Sequence, residues 1–222
     1  MNFRVLSMQE KFKEMQEYGW QSVSDPVEFT FGPFIVKEWL PRGPDGIVFA
    51  MIERVQPPLE GWPNLREMSR LFNATQVVAD IEAAKDFYIN KLGFKIYLEH
   101  KGASSKEGPN VLGLPHNLTT KIDREVYILH PTGENEGSVE ILSFDGAIGR
   151  DFSALAVPPN LGILMLRFPV YDIDKIHQLS IDENIEVIFP PMRVELDPYG
   201  EIDLMAVKGP GGVWLEFYES TN

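Results

Sequence analysis

Residues 71–96, LFNATQVVADIEAAKDFYINKLGFKI, predict a strand, a helix and a second strand in that order. The β-branched run ends at Asp80, whose carboxylate suits the position just before a helix. Apolar residues then recur at helical spacing. Gly93 is expected to end the helix, because glycine readily adopts the left-handed backbone conformation. This stretch therefore predicts one strand–helix–strand unit.

A second copy of the pattern lies near the end of the chain. Residues 161–171 (LGILMLRFPVY) predict a strand, Asp172 predicts the helix cap, and Asn184 is placed to end the helix. Three extended segments follow, and the turn sequences DPYG and KGPGG separate them. The complete unit is therefore predicted to have the order βαβββ.

A third copy begins the chain and is incomplete. Ser7 and Glu10 form the capping pattern of a helix start, and Gly19 is placed to end that helix. A GPDG turn then matches the GPGG turn of the last copy. When the copies are aligned by their caps, Met1 falls in the middle of a first strand. We therefore expect the complete arrangement to begin upstream of Met1.

The repeat divides the chain into three modules and two linkers. The predicted modules are residues 1–56, which lack most of the first strand, 71–145 and 161–222. The predicted linkers are residues 57–70 and 146–160, and each contains a Pro-Pro pair. The middle module also carries an insert, 101–121, rich in Gly, Ser, Pro and Asn. Long loops of this composition are usually functional, so the insert is expected over the mouth of a pocket.

Composition excludes several classes of function. The chain has 222 residues, a net charge of -13 and no cysteine. Disulfides and thiolate metal sites are therefore excluded, and so is a cysteine nucleophile. The acidic balance argues against nucleic-acid binding, which needs clustered basic residues. No apolar run reaches the roughly 18 residues of a membrane helix, and the N-terminus lacks a signal-peptide pattern. A cytoplasmic protein is expected.

Two phrases carry a family resemblance. The run from Val77 to Asp80 leading into IEAAKDFYINKLGFKI, and the phrase GPGGVWLEF at 209–217, resemble modules of the vicinal oxygen chelate superfamily. This group includes glyoxalase I, bleomycin-resistance proteins, methylmalonyl-CoA epimerase and extradiol dioxygenases. The resemblance implies an α+β fold of repeated βαβββ modules, whose mixed sheets curve into a half-barrel around a pocket.

The resemblance also implies positions for metal ligands, which lie in the first and last strands of each module. In this sequence the first-strand positions hold Asn73 and Met165, and the last-strand positions hold Glu140, Glu216 and, in the N-terminal module, Ala50. No histidine occupies a first-strand position, which argues against a two-His-one-carboxylate extradiol dioxygenase. A divalent metal (Zn, Ni, Mn, Fe or Mg) at Glu216 and Glu140 is one expectation, and no tightly bound metal is the favoured one.

The two glutamates are also the candidate catalytic residues. Glu216 shares a strand face with Trp214 and Tyr218, which would line the pocket with aromatic rings. A buried carboxylate is costly unless it is paired or protonated, so Glu216 and Glu140 are candidates for a general base. His130, one strand before Glu140, is a candidate pocket residue. Asn73 and Met165 complete the predicted substrate-binding set.

The predicted function has three forms. In the first, the middle and last modules pair around a pocket that binds a small organic molecule, and the protein is a lyase or isomerase with a degenerate metal site. In the second, it is a metal-free binding or sequestering protein of the bleomycin-resistance type. In the third, it is an assembly module without chemistry. The unpaired edge of the incomplete N-terminal module also predicts a homodimer through that module.

Overall fold

A computed structural model describes residues 1–62, 65–147 and 149–220. The chain divides into two compact units. Unit 1 comprises Met1–Val77 and Phe94–Ile148, and unit 2 comprises Val78–Gly93 and Gly149–Asn222. Unit 1 thus holds the N-terminal module and the strands of the middle module.

Unit 1 contains one mixed sheet of eight strands in the order β2-β3-β4-β1-β5-β8-β7-β6. Within each module the first and last strands run parallel, and the other neighbours are antiparallel. The two first strands meet antiparallel at Asn2 and Asn73, which joins the two modules. The strands are β1 (Asn2–Val5), β2 (Val27–Phe31), β3 (Phe34–Trp39), β4 (Ala50–Gln56), β5 (Asn73–Val77), β6 (Lys95–Gly102), β7 (Arg124–His130) and β8 (Ser138–Phe144).

This pairing corrects two expectations from the sequence. The middle module shares its sheet with the N-terminal module, and the strands of the last module form a separate sheet. The first strand of the N-terminal module also has no open edge, because β1 lies between β4 and β5. Residues just before β5 also bond to this edge, because the Phe72 and Ser69 amides donate to the Asn2 and Arg4 carbonyls.

The eight-stranded sheet curls until its two edge strands approach each other. The rings of Phe31, at the end of β2, and His100, on β6, have centroids 6.3 Å apart. A Cβ atom added to Gly32 would lie only 3.1 Å from Leu98 Cδ1. The curl gives the sheet an inner face and an outer face, as the half-barrel expectation requires.

Helix α1 (Met8–Glu17) covers the outer face of the N-terminal module. Its cap is the predicted one, because the Ser7 hydroxyl accepts a hydrogen bond from the Glu10 amide. Gly19, with φ of +83°, follows the helix end. The fully buried core beneath the helix consists of Val5, Met8, Trp39 and Met51, with Phe3, Phe12, Met15, Trp20 and Phe49 packed against it.

We expect Met51→Ala to lower the free energy of unfolding by about 2–5 kcal/mol, the usual cost of emptying a filled core site. The Met51 side chain is 0% exposed. Chemical denaturation followed by tryptophan fluorescence measures the loss, and Met68→Ala is the matched control because Met68 is 43% exposed. Equal losses in the two variants would contradict the placement of the core.

Unit 2 contains a four-stranded sheet in the order β10-β11-β12-β9. Helix α3 follows the predicted cap, with Asp172 accepting from the Lys175 amide at 2.8 Å. Asn184, with φ of +53°, follows the helix end as predicted. The elements are β9 (Met165–Pro169), α3 (Ile173–Asp182), β10 (Val187–Leu196), β11 (Gly200–Lys208) and β12 (Trp214–Ser220).

The helix of the middle module belongs to unit 2 and changes its winding partway along. It begins as α2 (Ile81–Lys85), capped by Asp80, and continues as a π-helix over Asp86–Lys91. The Leu92 amide donates to the Phe87 carbonyl five residues earlier, which marks the wider turn. No helix among the described residues is long and apolar enough to cross a lipid bilayer.

The insert of the middle module is held together by its own hydrogen bonds. The Asn110 side chain bonds both ways with the Leu114 backbone, and the Thr119 hydroxyl donates to the His116 carbonyl at 2.8 Å. Short 3-10 turns occur here at His116–Leu118 and, in unit 2, at Ser153–Leu155 and Pro210–Gly212. Placement of the insert over a pocket mouth stays a prediction.

Candidate functional site

A group of polar side chains lies on the inner face of unit 1, and we call it the polar cluster: Asn2, Glu38, Asn73, Thr75 and Glu140. The strand register places them together. Asn2 lies opposite Asn73, and Thr75 lies opposite Glu140. Glu38 joins this face because it pairs with Ile52 on β4, two residues beyond the partner of Asn2.

Hydrogen bonds connect four members of the cluster. The Asn2 side-chain amide donates to Asn73 Oδ1 and, at 3.1 Å, to Thr75 Oγ1. The Thr75 hydroxyl lies 3.3 Å from both Asn2 Oδ1 and Glu140 Oε1 and can donate its single proton to either. The network therefore holds the Glu140 carboxyl group against the junction of the two modules.

The amide nitrogen of Asn73 is the unsatisfied atom of the cluster. Asn73 is only 2% exposed, and its Nδ2 atom has no hydrogen-bond partner among the described residues. A buried donor left without a partner costs about 1–3 kcal/mol. Such groups are rare in folded proteins and often mark a place where a ligand or an ordered water binds.

The two carboxyl groups of the cluster have strongly raised pKa values. Burial raises the pKa of Glu38 from its ordinary value of 4.5 to about 8, and the nearby charge of Glu140 adds to the rise. Burial raises the pKa of Glu140 to about 7, and the hydrogen bond from Thr75 opposes this rise. At neutral pH, Glu38 is therefore mostly protonated and Glu140 is close to half ionised.

Apolar side chains surround the cluster on the same face. Ile128 lies opposite Glu140 on β7, and Leu98 lies opposite Ile128 on β6. Ala50 and Ile52 flank the cluster on β4. This lining explains the raised pKa values, because it offers the charged carboxylates little solvation.

Glu216, the leading candidate from the sequence, lies in unit 2 and is held in an ion pair. The Arg167 Nε and Nη2 atoms lie 2.8 and 2.7 Å from Glu216 Oε2, and Glu216 is 6% exposed. Arg167 also stacks over the ring of Tyr199, which packs against Tyr218 at 4.9 Å between centroids. Arg167 therefore already holds the Glu216 carboxyl group in a bonded pair, which suits a structural role better than that of a base.

The structure separates the other predicted site residues into two groups. Glu140 and Asn73 come together in unit 1, whereas Met165, Trp214 and Tyr218 share the Glu216 face in unit 2. Glu140 and Glu216 thus lie in different units, and a shared pocket for them stays a prediction.

His130 has a local role at the end of β7. Its Nδ1 atom accepts hydrogen bonds from the Thr132 amide at 3.1 Å and the Glu134 amide at 3.3 Å. A histidine nitrogen used in this way fixes a turn. This turn leads from β7 into β8 and so helps to set the position of Glu140 along its strand.

Sequence reasoning missed three members of the cluster, Asn2, Glu38 and Thr75. For Glu38 the available signal is a carboxyl group in the strand FIVKEW, where the alternation puts Glu38 on the face of Val36 and opposite to Trp39. The pattern indicates a buried carboxyl group only if the sheet curls, because an open sheet would leave the face of Glu38 in water.

A surface pocket of unit 1 is a weaker candidate for a ligand site. It has a volume of about 290 Å³ and lies beside the first turn of α1. Lys11, which lines it, is already paired with Glu14 at 2.6 Å and Glu67 at 2.7 Å. These exposed pairs leave little unsatisfied polar capacity, so the polar cluster is the better candidate.

The residues present do not fit the metal site that the fold family implies. Within the described residues, no three His, Cys, Asp or Glu side chains are placed to hold an ion together. The family positions in unit 1 supply the neutral amide of Asn73, the half-protonated Glu140 and the methyl group of Ala50. In unit 2 the family positions supply the soft thioether of Met165 and the carboxyl group of Glu216. That carboxyl group is already paired with Arg167.

The fold agrees with the comparison to known proteins. The family profile of the Glyoxalase/Bleomycin resistance protein/Dioxygenase superfamily matches residues 70–217, so the chain belongs to this superfamily. Curated protein sequences gave no significant match.

Solved structures of the family share the fold at low sequence identity. Glyoxalase I from Zea mays superposes with a TM-score of 0.60 and 14% identity, and the match covers 100% of this chain and 67% of the maize chain. A glyoxalase family protein from Bacillus cereus superposes with a TM-score of 0.53 and 18% identity, over 71% of this chain and 97% of that chain. Identities this low establish the fold and leave the activity to be argued from the site.

Proposed function

We propose that the inner face of unit 1 binds a small, partly apolar organic molecule, and that Glu38 and Glu140 move a proton on it. The observation that carries this proposal is the pair of carboxyl groups with raised pKa values beside the unpartnered amide of Asn73. Perturbed carboxyl groups that share a site with free hydrogen-bonding capacity are typical of acid–base catalysis.

The chemistry that suits this site is proton transfer at a carbon next to a carbonyl group. The ionised Glu140 would take the proton from carbon, and the electron pair would move onto the carbonyl oxygen. The Asn73 amide and the protonated Glu38 are the donors available to that oxygen. Return of a proton to carbon completes an isomerase cycle without an oxidant or a reductant.

The two pKa values favour Glu140 as the general base and Glu38 as the general acid. A base works best when its pKa is near the working pH, and the value of about 7 for Glu140 meets this condition. A general acid must remain protonated at the same pH, and the pKa of about 8 for Glu38 meets this second condition. General acid–base catalysis of this kind contributes roughly 10²–10⁴-fold in rate.

A second candidate function is binding without chemistry, as in the bleomycin-resistance type. The observation that favours it is the set of polar groups, in which two carboxyl groups with raised pKa values and an amide can bond to a ligand but do not fit a metal. In this case the same inner face would hold the molecule, and no bond in it would change.

Solvent deuterium exchange distinguishes the two candidates and tests the first. The probes are the hemithioacetal of a 2-oxoaldehyde with a small thiol, a 2-oxo acid and a malonyl-type thioester, each followed by proton NMR in D₂O. We expect the wild-type protein to exchange the carbon-bound proton of at least one probe. Glu140→Gln should lower the exchange rate by roughly 10²-fold or more.

The matched control is Glu28→Gln, since Glu28 lies on β2 of the same unit and is exposed. It should leave the exchange rate unchanged. Binding of a probe without exchange would replace the catalytic proposal with the binding one. Exchange that survives in both Glu38→Gln and Glu140→Gln would contradict the assignment of the site.

A further inference from the structure

The three modules use one strand position in three different ways. In each module this position lies on the first strand, five residues before the helix cap, and directly opposite one residue of the last strand. Strand partners that lie directly opposite each other have side chains on the same face, so the three pairs can be compared. From the N-terminal module to the last, the pairs are Asn2 with Ala50, Thr75 with Glu140 and Arg167 with Glu216.

In the last module the position holds a basic side chain. The Arg167 Nε and Nη2 atoms both lie within 2.8 Å of Glu216 Oε2, so the pair combines two hydrogen bonds with opposite charge. A carboxyl group held in this way is already bonded to a cation inside the protein. It is poorly suited to accept a proton from a ligand.

In the middle module the same position holds a hydroxyl group. Thr75 Oγ1 lies 3.3 Å from Glu140 Oε1, and among the described residues no basic side chain pairs with Glu140. Thr75 therefore holds the carboxyl group in place and leaves it without a bonded cation. The contrast with Arg167 marks Glu140 as the glutamate that stays available to a ligand.

In the N-terminal module the position holds Asn2, which has no polar group opposite it. The methyl group of Ala50 can neither donate nor accept, and Asn2 bonds across the junction of the two modules instead. One proton of its amide group goes to Asn73 Oδ1 and the other to Thr75 Oγ1, at 3.1 Å. Asn2 is 4% exposed, and strands β4 and β5 hold its backbone from both sides.

These two bonds decide which way the neighbouring groups point. Asn73 accepts from Asn2 through its carbonyl oxygen, so its amide nitrogen faces away and is the unsatisfied donor of the cluster. The reverse orientation of Asn73 would place two NH₂ groups against each other. Thr75 accepts through its hydroxyl oxygen, which leaves its proton to donate. An ionised Glu140 is a stronger acceptor for this proton than the Asn2 carbonyl oxygen.

We propose that Asn2 and Thr75 are positioning residues for the two groups that meet the bound molecule. Asn2 turns the amide nitrogen of Asn73 toward that molecule. Thr75 holds Glu140 Oε1, so that Oε2 is left to take the proton from carbon. The inference rests on the function proposed for unit 1 and adds a requirement to it. The molecule must present a hydrogen-bond acceptor, such as a carbonyl oxygen, to the Asn73 amide.

Proton–nitrogen NMR of the side-chain amides tests these hydrogen bonds without any ligand. Thr75→Val removes the hydroxyl group and keeps the shape of the side chain, so one Asn2 amide proton loses its acceptor and its signal should move upfield. Thr75→Ser keeps the hydroxyl group and should leave the signal near its wild-type position. Asn2→Leu assigns the signal by removing it, and the backbone signals report whether each variant is folded. An Asn2 signal that stays in place in folded Thr75→Val would overturn the proposal.

Kinetics with the probe that the wild-type protein exchanges test the positioning role. Thr75→Val should lower kcat roughly 10–100-fold and leave KM within about twofold, because a misaimed base slows the chemical step more than binding. Thr75→Ser should recover most of the lost rate. Thr30→Val is the matched control, since Thr30 is exposed on β2, and it should leave both constants unchanged. An unchanged kcat in Thr75→Val, or equal losses in Thr75→Ser and Thr75→Val, would reject the role of Thr75.

Failure of the proposed function would give a different pattern. No probe would exchange with the wild-type protein, while the Asn2 amide signal would still respond to Thr75→Val. That result would contradict proton transfer and the part of Thr75 in it. It would support the remaining part of the inference, in which Asn2 orients the Asn73 donor toward a bound molecule.

Discussion

Glu38→Gln and Glu140→Gln should stabilise the protein in mildly alkaline solution and have much less effect near pH 5. Each carboxyl group has a higher pKa in the folded chain, about 8 and about 7, than its ordinary value of 4.5. Between pH 4.5 and these raised pKa values the folded state binds more protons than the unfolded state, so the free energy of unfolding falls as pH rises. Glutamine resembles the protonated acid and cannot ionise, so each substitution removes that residue's contribution to the pH dependence of stability.

The expected gain in stability follows from the pKa shift of each carboxyl group. One pKa unit corresponds to about 1.4 kcal/mol, so at about pH 8.5 Glu140→Gln should gain roughly 3 kcal/mol and Glu38→Gln roughly 5 kcal/mol over wild type. Urea unfolding curves at about pH 5 and pH 8.5 measure the difference. Glu28→Gln, the exposed control on β2, should follow the wild-type pH dependence. Wild-type stability that rises from about pH 5 to pH 8 would contradict the burial of the pair.

Arg167→Met should destabilise the protein by about 3–5 kcal/mol, because it leaves the charge of Glu216 buried without its partner. Glu216 is 6% exposed, and both bonding nitrogens of Arg167 reach the same oxygen of it. Urea unfolding of the single variant and of the wild-type protein measures the loss.

Two further variants separate the ion pair from the loss of side-chain volume. Arg167→Met/Glu216→Leu should recover most of the stability, since replacing both partners leaves no buried charge. Arg193→Met is the matched control, because Arg193 forms a similar ion pair with Asp203 at an exposed site, and its loss should be much smaller. A double variant as unstable as the single one would mean that packing of Arg167 dominates.

Local structure could be predicted from the sequence because its signals are local. Ser7, Asp80 and Asp172 each cap a helix through a side-chain oxygen, and each helix starts where the pattern puts it. Gly19 and Asn184 have the positive φ angles that the helix ends require. A cap or a stop needs only a few neighbouring residues, so one chain contains all the information for it.

The association of modules could not be predicted in the same way. The three modules present similar first strands, and nothing within β1 or β9 specifies which partner is chosen. The choice depends on contacts far apart in the sequence, such as that between Asn2 and Asn73.

The candidate site also combines features that local sequence patterns indicate with features that depend on contacts far apart in the sequence. Glu140 and Asn73 were predicted from the strand positions that the family resemblance implies, whereas Asn2, Glu38 and Thr75 were not predicted. The placement of Glu38 beside Glu140 comes from the curl of the sheet, which no local pattern in the sequence reveals. Glu216 was correctly expected to be buried, but its partner Arg167 lies on another strand, and that partner decides whether the carboxylate is available.

The π-helical stretch at Asp86–Lys91 has a consequence for comparing this chain with its relatives. A turn closed by a bond five residues back contains one residue more than an ordinary turn. A homologue with a regular helix here aligns correctly only if a single-residue gap is opened inside the helix, where alignments rarely place one. Without that gap, the buried Tyr88 and the residues after it are matched one position out of phase, and true equivalences are lost.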